Sequence, residues 1–537
     1  MLLPELPIAF GLVATTAASA LAARRLDIPY SIVLVAVGLA LGFMPFMPQV
    51  ELRPDLVLSL LLPPLLYSSG VGMSWRGFKA GLRPILQLAV GCVVATAVSV
   101  AVAMHWLLGL PLAVGFVLGA VVSPPDAVAP MAIARRRAVP SRILTILEGE
   151  GLVNDATALI LFSFAVAAVV GGGFSLPAAL GQFTAIVTGE IAWGVGVGWS
   201  SLALRRWAAD TRVEMVLALL TPFAAFWVPE SVGGSGVLAT VTCGLFVSWN
   251  GPRFISPATR LQGFFVWDMV VYLIEGVVFL LTGLQARLIV ERLKGGDWNR
   301  VLIAAAAVCA VVIVVRFLWV FAVTYISRWL PRPLRAERPM PPWRSVFVVA
   351  FTGIRGVVSL AAALSIPFLA GAAPFPERDL ILLVTFAVIL VTLVGQGLSF
   401  SWLIRVMGLT EDGRREAEEA KRREVAARVK SIDAALSRLD QLEGAAAAPE
   451  TVEVLKRRHG DRRAYFVAAC NDISEGNVAL SSSALQLRFV EAERQSIADL
   501  YCRGEIDDEA RRRIERELDL EDSRLRHAAQ SGVTRIL

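Results

Sequence analysis

The sequence predicts an all-α polytopic membrane protein, with about thirteen transmembrane helices arranged as inverted repeats with crossed discontinuous helices, and a helical cytoplasmic tail. Three observations carry that prediction. Of the 537 residues, 56% are hydrophobic and the mean hydropathy is +0.64, more apolar surface than soluble globular chains carry. Up to Gly408, apolar runs long enough to cross a bilayer alternate with short polar loops. From Thr410 onward the chain is densely charged, as in EDGRREAEEAKRREVAARVK. The expected organisation is a membrane domain over residues 1–408 and a cytoplasmic helical tail over 409–537.

Apolar windows place the spans at 4–22, 28–48, 55–72, 84–108, 111–134, 143–170, 176–204, 213–229, 231–249, 264–285, 301–327, 343–370 and 379–406. The N-terminal MLLPELPIAFGLVATTAASALAARR is signal-like, but its charges follow the apolar run instead of preceding it, so it counts as the first span. Loops after odd spans are basic: RRLD, WRGFKAGLRP, ARRRAVPSR, RRWAADTR, NGPRFISPATR and SRWLPRPLRAERPMPPWR. Loops after even spans, such as GGGFSLP and VPESVGG, carry little basic charge, the loop near Lys294 excepted. By the positive-inside rule the N-terminus lies outside and the tail in the cytoplasm, the parity thirteen spans require.

Composition excludes several classes. The net charge of +6 is spread over alternate loops, with no aromatic-interleaved basic patch for nucleic acid. Cys92, Cys243, Cys309, Cys470 and Cys502 form no close pair, and His105, His459 and His527 form no zinc-like cluster. No HExxH or GxSxG motif and no paired Gly-Asp supports an intramembrane hydrolase. No cofactor is implied.

Charges inside apolar spans, each costing roughly 2.5–3.5 kcal/mol on insertion scales, mark the chemistry. In GAVVSPPDAVAP, Pro124 and Pro125 lack N–H groups and break the helix. Asp126 then stands where a second half-helix begins, at the positive end of its dipole. In ILEGEGLVNDATALILF, Glu148 and Asp155 share one helix face, and Glu150 and Asn154 the adjacent one. In FTGIRGVVSLAAALSIP, Arg355 stands between Gly353 and Gly356 and requires a carboxylate partner, Glu150 or Glu148. Glu190, Asp268, Glu275 and Arg316 are isolated charges, Glu275 being the best placed for function. If span 7 is a linker, spans 1–6 repeat as spans 8–13, and the broken span 5 pairs with span 12.

SPPDAVAP, ILEGEGLVNDATALILF, GPRFISPATRLQGF and TGIRGVVSLAAALSIP together resemble the bacterial sodium/proton antiporters of the NhaP type, within the cation/proton antiporter family that includes the animal sodium/proton exchangers. The resemblance runs through all thirteen spans and into the tail segment 487–525. It implies Na+ or K+, with Li+ a further candidate, exchanged for H+ in a bacterial inner membrane by a homodimer embedded in the lipid bilayer. Asp155 would hold the monovalent cation or the proton, with Asn154 beside it marking the subgroup that exchanges one for one. Asp126 and Pro125 would lie in the crossing of spans 5 and 12, and Glu150 with Arg355 would form a structural ion pair. Glu148, Glu275 and Arg316 are auxiliary candidates. Three positions depart from the family pattern: Ser68 replaces a glutamate, Pro125 a hydroxyl residue and Gly151 a serine. Competition at one carboxylate favours an antiporter, and the alternative reading is a cation channel.

Overall fold

The computed structural model describes residues 5–26, 28–45, 53–171, 176–208, 210–291, 297–326, 340–370, 373–442, 449–472, 479–503, 505, 511, 514–515, 517–523 and 525. The loops expected at 172–175, near Lys294 and across 327–339, together with His527, lie outside the described residues. The chain divides into two compact units, Met1–Arg414 and Arg415–Leu537.

In the first unit the helices are α1 (Glu5–Leu26), α2 (Tyr30–Gly42), α3 (Pro54–Gly72), α4 (Trp75–Leu108), α5 (Leu112–Val122), α6 (Val128–Arg136), α7 (Ser141–Gly171), α8 (Leu176–Ala208) and α9 (Thr211–Ser231). They continue as α10 (Val237–Phe254), α11 (Pro257–Glu291), α12 (Trp298–Ile326), α13 (Trp343–Phe351), α14 (Val357–Leu364) and α15 (Arg378–Val406). Among the described residues, seven of these are long and apolar enough to cross a membrane: α3, α4, α7, α9, α11, α12 and α15. A two-residue hairpin, β1 (Leu369–Ala370) against β2 (Ala373–Pro374), interrupts an otherwise helical chain.

Several boundaries differ from the hydropathy reading. WRGFKAGLRP is helix, not loop: Ser74 caps it, its Oγ accepting from Gly77 N at 3.3 Å, and α4 therefore starts at Trp75 instead of 84. NGPRFISPATR contains the end of α10 and the start of α11, parted only around Ile255 and Ser256. Hydropathy windows register apolar content, whereas caps set where a helix starts. Glu190 of α8 supplies another cap, in trans. Its two carboxylate oxygens accept from the backbone N–H groups of Ser235, Gly236, Leu238 and Ala239 at 2.6–3.2 Å, which fixes the N-terminus of α10 against α8.

Small residues let the helices approach closely. Gly38 of α2 meets Gly283 of α11, and Gly70 of α3 meets Gly244 of α10, each near enough that an added Cβ would stand 3.1–3.2 Å from the opposing Cα. The largest apolar cluster joins α4, α5, α12, α14 and α15, including Val117, Val121, Val308, Val312, Leu360 and Val384. One half of each interrupted helix, α5 and α14, is seated in it.

At one end, Leu409 is buried with Ala134, Val139 and Ile143. Leu409 begins α16 (Leu409–Leu442). One turn further, Gly413 presses on the carbonyl of Ala138, which holds a left-handed φ of 49° between α6 and α7. In the second unit, α17 (Pro449–Asp472) is tied to α16 by Arg463 and Asp433 at 2.6 Å, and α18 (Ala479–Cys502) contributes Val490 to a small cluster with Leu518 and Leu525.

Candidate functional site

Two helices lose their regular form within the membrane unit. Between α5 and α6, residues 123–127 are unwound, and between α13 and α14, residues 352–356. The first break follows from Pro124 and Pro125, which cannot donate to the helical ladder. The second spans Gly353 and Gly356 and carries no proline. The two breaks touch: Asp126 N donates to Ile354 O at 2.7 Å. Gly356 makes this contact feasible, since a Cβ there would lie 2.6 Å from both Cβ and Oδ2 of Asp126.

Asp126 stands just ahead of α6, its Oδ1 accepting from Val128 N, the first residue of that helix, at 3.0 Å. Its Oδ2 is buried without a hydrogen-bond partner. From α7, Asn154 reaches into the same break, Nδ2 donating to Pro125 O at 2.6 Å, while its Oδ1 is buried and unpartnered. Asp155 follows it in sequence, half-buried, facing the charge of Asp126 and accepting no hydrogen bond from the described residues. Glu275, on α11, also faces Asp126 and neighbours Tyr30, whose Oη donates to Tyr272 O at 3.0 Å. Thus the breaks bring Pro125, Asp126 and Asn154 together, with Asp155 next to Asn154 on α7 and Glu275 within electrostatic reach of Asp126 from α11. Ser68 stands half-buried on α3 and makes no hydrogen bond with the described residues.

The expected ion pair of Glu150 with Arg355 is not the one that forms. Glu150 is paired with Arg316 of α12, Nη1 to Oε1 at 2.5 Å and Nη2 to Oε2 at 2.9 Å, with each side chain only 2% exposed. Arg316 Nη2 also donates to Val349 O near the end of α13 at 3.2 Å. Arg355 instead lies in the crossing, with Nε donating to Val122 O at 2.8 Å, Nη2 to Ser123 O at 3.2 Å, and Nη1 to Gly353 O. The physical reason is local. Interrupted helices leave unpaired carbonyls at the negative ends of their dipoles, and these satisfy a guanidinium as a carboxylate would. Arg316 rises from an unbroken helix with no spare carbonyls of its own, so it takes the carboxylate.

Glu148 turns to Arg135 at the end of α6, Oε1 accepting from Nη2 at 3.2 Å. Gly151 has a steric reason: a Cβ there would meet Cβ of Ala127 at 2.6 Å, so α7 can lie against the break only without a side chain at that point. Arg355 N donates to Thr392 Oγ1 at 3.0 Å, in a π turn (Val391–Gln396) of α15. Thr392 was not singled out from sequence, and no sequence signal marks that turn. Among the described residues no cluster of His, Cys, Asp and Glu could hold a metal cofactor.

Comparison with known proteins agrees with the geometry. Residues 11–406 match the family model described as sodium/hydrogen exchanger, transmembrane. An uncharacterized Na(+)/H(+) exchanger of Mycobacterium tuberculosis (strain H37Rv) is 35% identical over 524 residues, 96% of this chain and 95% of that one. The sodium, potassium, lithium and rubidium/H(+) antiporter of Bacillus subtilis is 35% identical over 386 residues, 68% of this chain and 56% of that one. The sodium proton antiporter MjNhaP1 from Methanocaldococcus jannaschii has a similar fold, with a TM-score of 0.62 at 19% identity over 75% of this chain and 100% of that one.

Proposed function

The chain belongs to the sodium/hydrogen exchanger family, and on that premise we propose that it exchanges Na+ or K+ for H+ at Asp155, one for one. It is a multi-pass membrane antiporter and not an enzyme, and the relatives named above are exchangers and antiporters, which does not support the channel reading. Li+ is a further candidate substrate, as the name of the Bacillus subtilis relative suggests.

One observation carries the proposal. Beside Asp155, Asp126 Oδ2 and Asn154 Oδ1 are buried acceptors with no donor, while the nearby guanidinium groups are engaged by Glu150 and by backbone carbonyls. A buried unsatisfied acceptor costs about 1–3 kcal/mol, a cost that an arriving cation or proton relieves. Binding either one neutralises Asp155, so each expels the other and both loaded forms carry the same net charge. Empty Asp155 is too costly to cross the apolar barrier, which couples the two fluxes. A one-unit pH gradient is worth about 1.4 kcal/mol per proton, enough for a roughly tenfold cation gradient.

In this reading the helices form thirteen crossings, with the N-terminus outside and the tail cytoplasmic, in the bacterial inner membrane. The two broken helices hold equivalent places in two inverted repeats, and the homodimer provides a frame against which the crossing moves. Ser68 and Glu275 contribute from α3 and α11 on the approach to the site, and Glu148 from two turns below Asp155. The test is collapse of an imposed pH gradient in proteoliposomes on adding Na+, K+ or Li+, for the native chain and Asp155→Asn. Full exchange by Asp155→Asn refutes the assignment.

A further inference from the structure

Helix α12 is fastened to α4 where α4 departs from α-helical form. Its π turn, Gln87–Cys92, comes three residues after Pro84, a residue that has already removed one N–H from the ladder. A π turn leaves a carbonyl outside the helical pattern, and Gln87 O is taken by Trp319 Nε1 of α12 at 2.9 Å. Gly91 of the same turn opens room for the ring. A Cβ there would stand 3.2 Å from Cε2 and 3.3 Å from Cη2 of the indole, and nearer still to Cζ2. Cys92, the last residue of the turn, is buried and faces the guanidinium of Arg316.

Arg316 and Trp319 are three residues apart, so they project from one face of α12. Arg316 grips Glu150, which precedes Asn154 by one turn of α7. The arginine side chain is long and flexible, so the ion pair alone fixes neither the height nor the rotation of α12. A planar indole with one directional donor does.

We propose that the π turn of α4 is a socket for Trp319, and that Trp319 is a positioning residue for exchange: it sets α12 so that Arg316 meets Glu150 and Asn154–Asp155 stays pressed to the break. This rests on the exchange reading above. The effect therefore reaches the cation through site geometry.

The test uses the full chain in proteoliposomes, with Na+ and K+ each titrated against an imposed pH gradient. Absence of exchange by the native chain overturns the exchange reading itself. With native exchange established, Trp319→Phe keeps a ring and loses the N–H, whereas Gly91→Ala pushes the indole out of the turn. Each is expected to raise the cation KM roughly three- to tenfold, the scale of one lost hydrogen bond, with Vmax per folded protein within about twofold. A merely structural contact would lower the amount of folded protein and leave KM in place. Unchanged KM in Trp319→Phe overturns the proposal, and because that variant adds no atom it decides even where Gly91→Ala does not accumulate.

Discussion

The pairing of Glu150 with Arg316, instead of Arg355, makes a quantitative prediction. Both partners are 2% exposed and joined by two short hydrogen bonds. Removing one member strands the other as an uncompensated buried charge, at about 3–5 kcal/mol. At about 1.4 kcal/mol per decade, that lowers the folded-to-unfolded ratio by roughly a hundred- to several-thousandfold. Glu150→Leu and Arg316→Met should each show this loss, and the double variant should recover most of it, because no charge is then left unpaired. Arg355→Met should also be costly, since it strips three carbonyls of their donor, but combined with Glu150→Leu its loss should add to within about 1 kcal/mol. The assay is denaturant titration of purified protein in mixed micelles, read as a double-mutant cycle. A coupling of Glu150 with Arg355 larger than that with Arg316 would refute the reasoning.

Four further outcomes are expected. Lowering the pH supplies more protons to compete at Asp155, so the apparent cation KM should rise as pH falls, approaching about tenfold per unit; a KM flat across the working range in proteoliposomes would contradict competition at one site. Gly356→Ala should abolish exchange in the same assay, because the new methyl collides with Asp126, and normal exchange would show that the breaks do not need this contact. Gly151→Ser should weaken cation affinity by forcing α7 away from Ala127, seen as a raised KM, with an unaltered KM counting against the steric account. Glu190→Ala should cost about 1–2 kcal/mol of stability through the lost cap on α10, while the exchange kinetics of the folded fraction stay native.

The first break could be read from the sequence because two prolines remove two donors whatever surrounds them. The second was less visible, as glycines permit unwinding without requiring it. Asn154, Asp155 and Asp126 stood out because polar groups in apolar runs need a reason to be there. What could not be read was partner choice. In sequence Arg355 calls for a carboxylate, because unpaired carbonyls leave no mark in composition; they exist only after the helix has broken. Arg316 reads as an isolated charge for a different reason, its carboxylate partner being 166 residues away on another helix. Glu190, one more isolated charge, proved to cap a helix whose start, GGSG, carries no side-chain cap of its own. The π turns of α4 and α15 follow from tertiary packing and have no local signature.

The change in composition at Gly408 suggests a natural place to cut the chain, yet Leu409 is buried and Gly413 rests on the carbonyl of Ala138. That short piece of α16 is masonry for the bend leading into α7. A deletion beginning at residue 409 would take away the support of the bend along with the tail, and lost transport would then say nothing about regulation. One beginning after Arg414 leaves the support standing, so the pair of truncations separates damage to the foundation from loss of a signal.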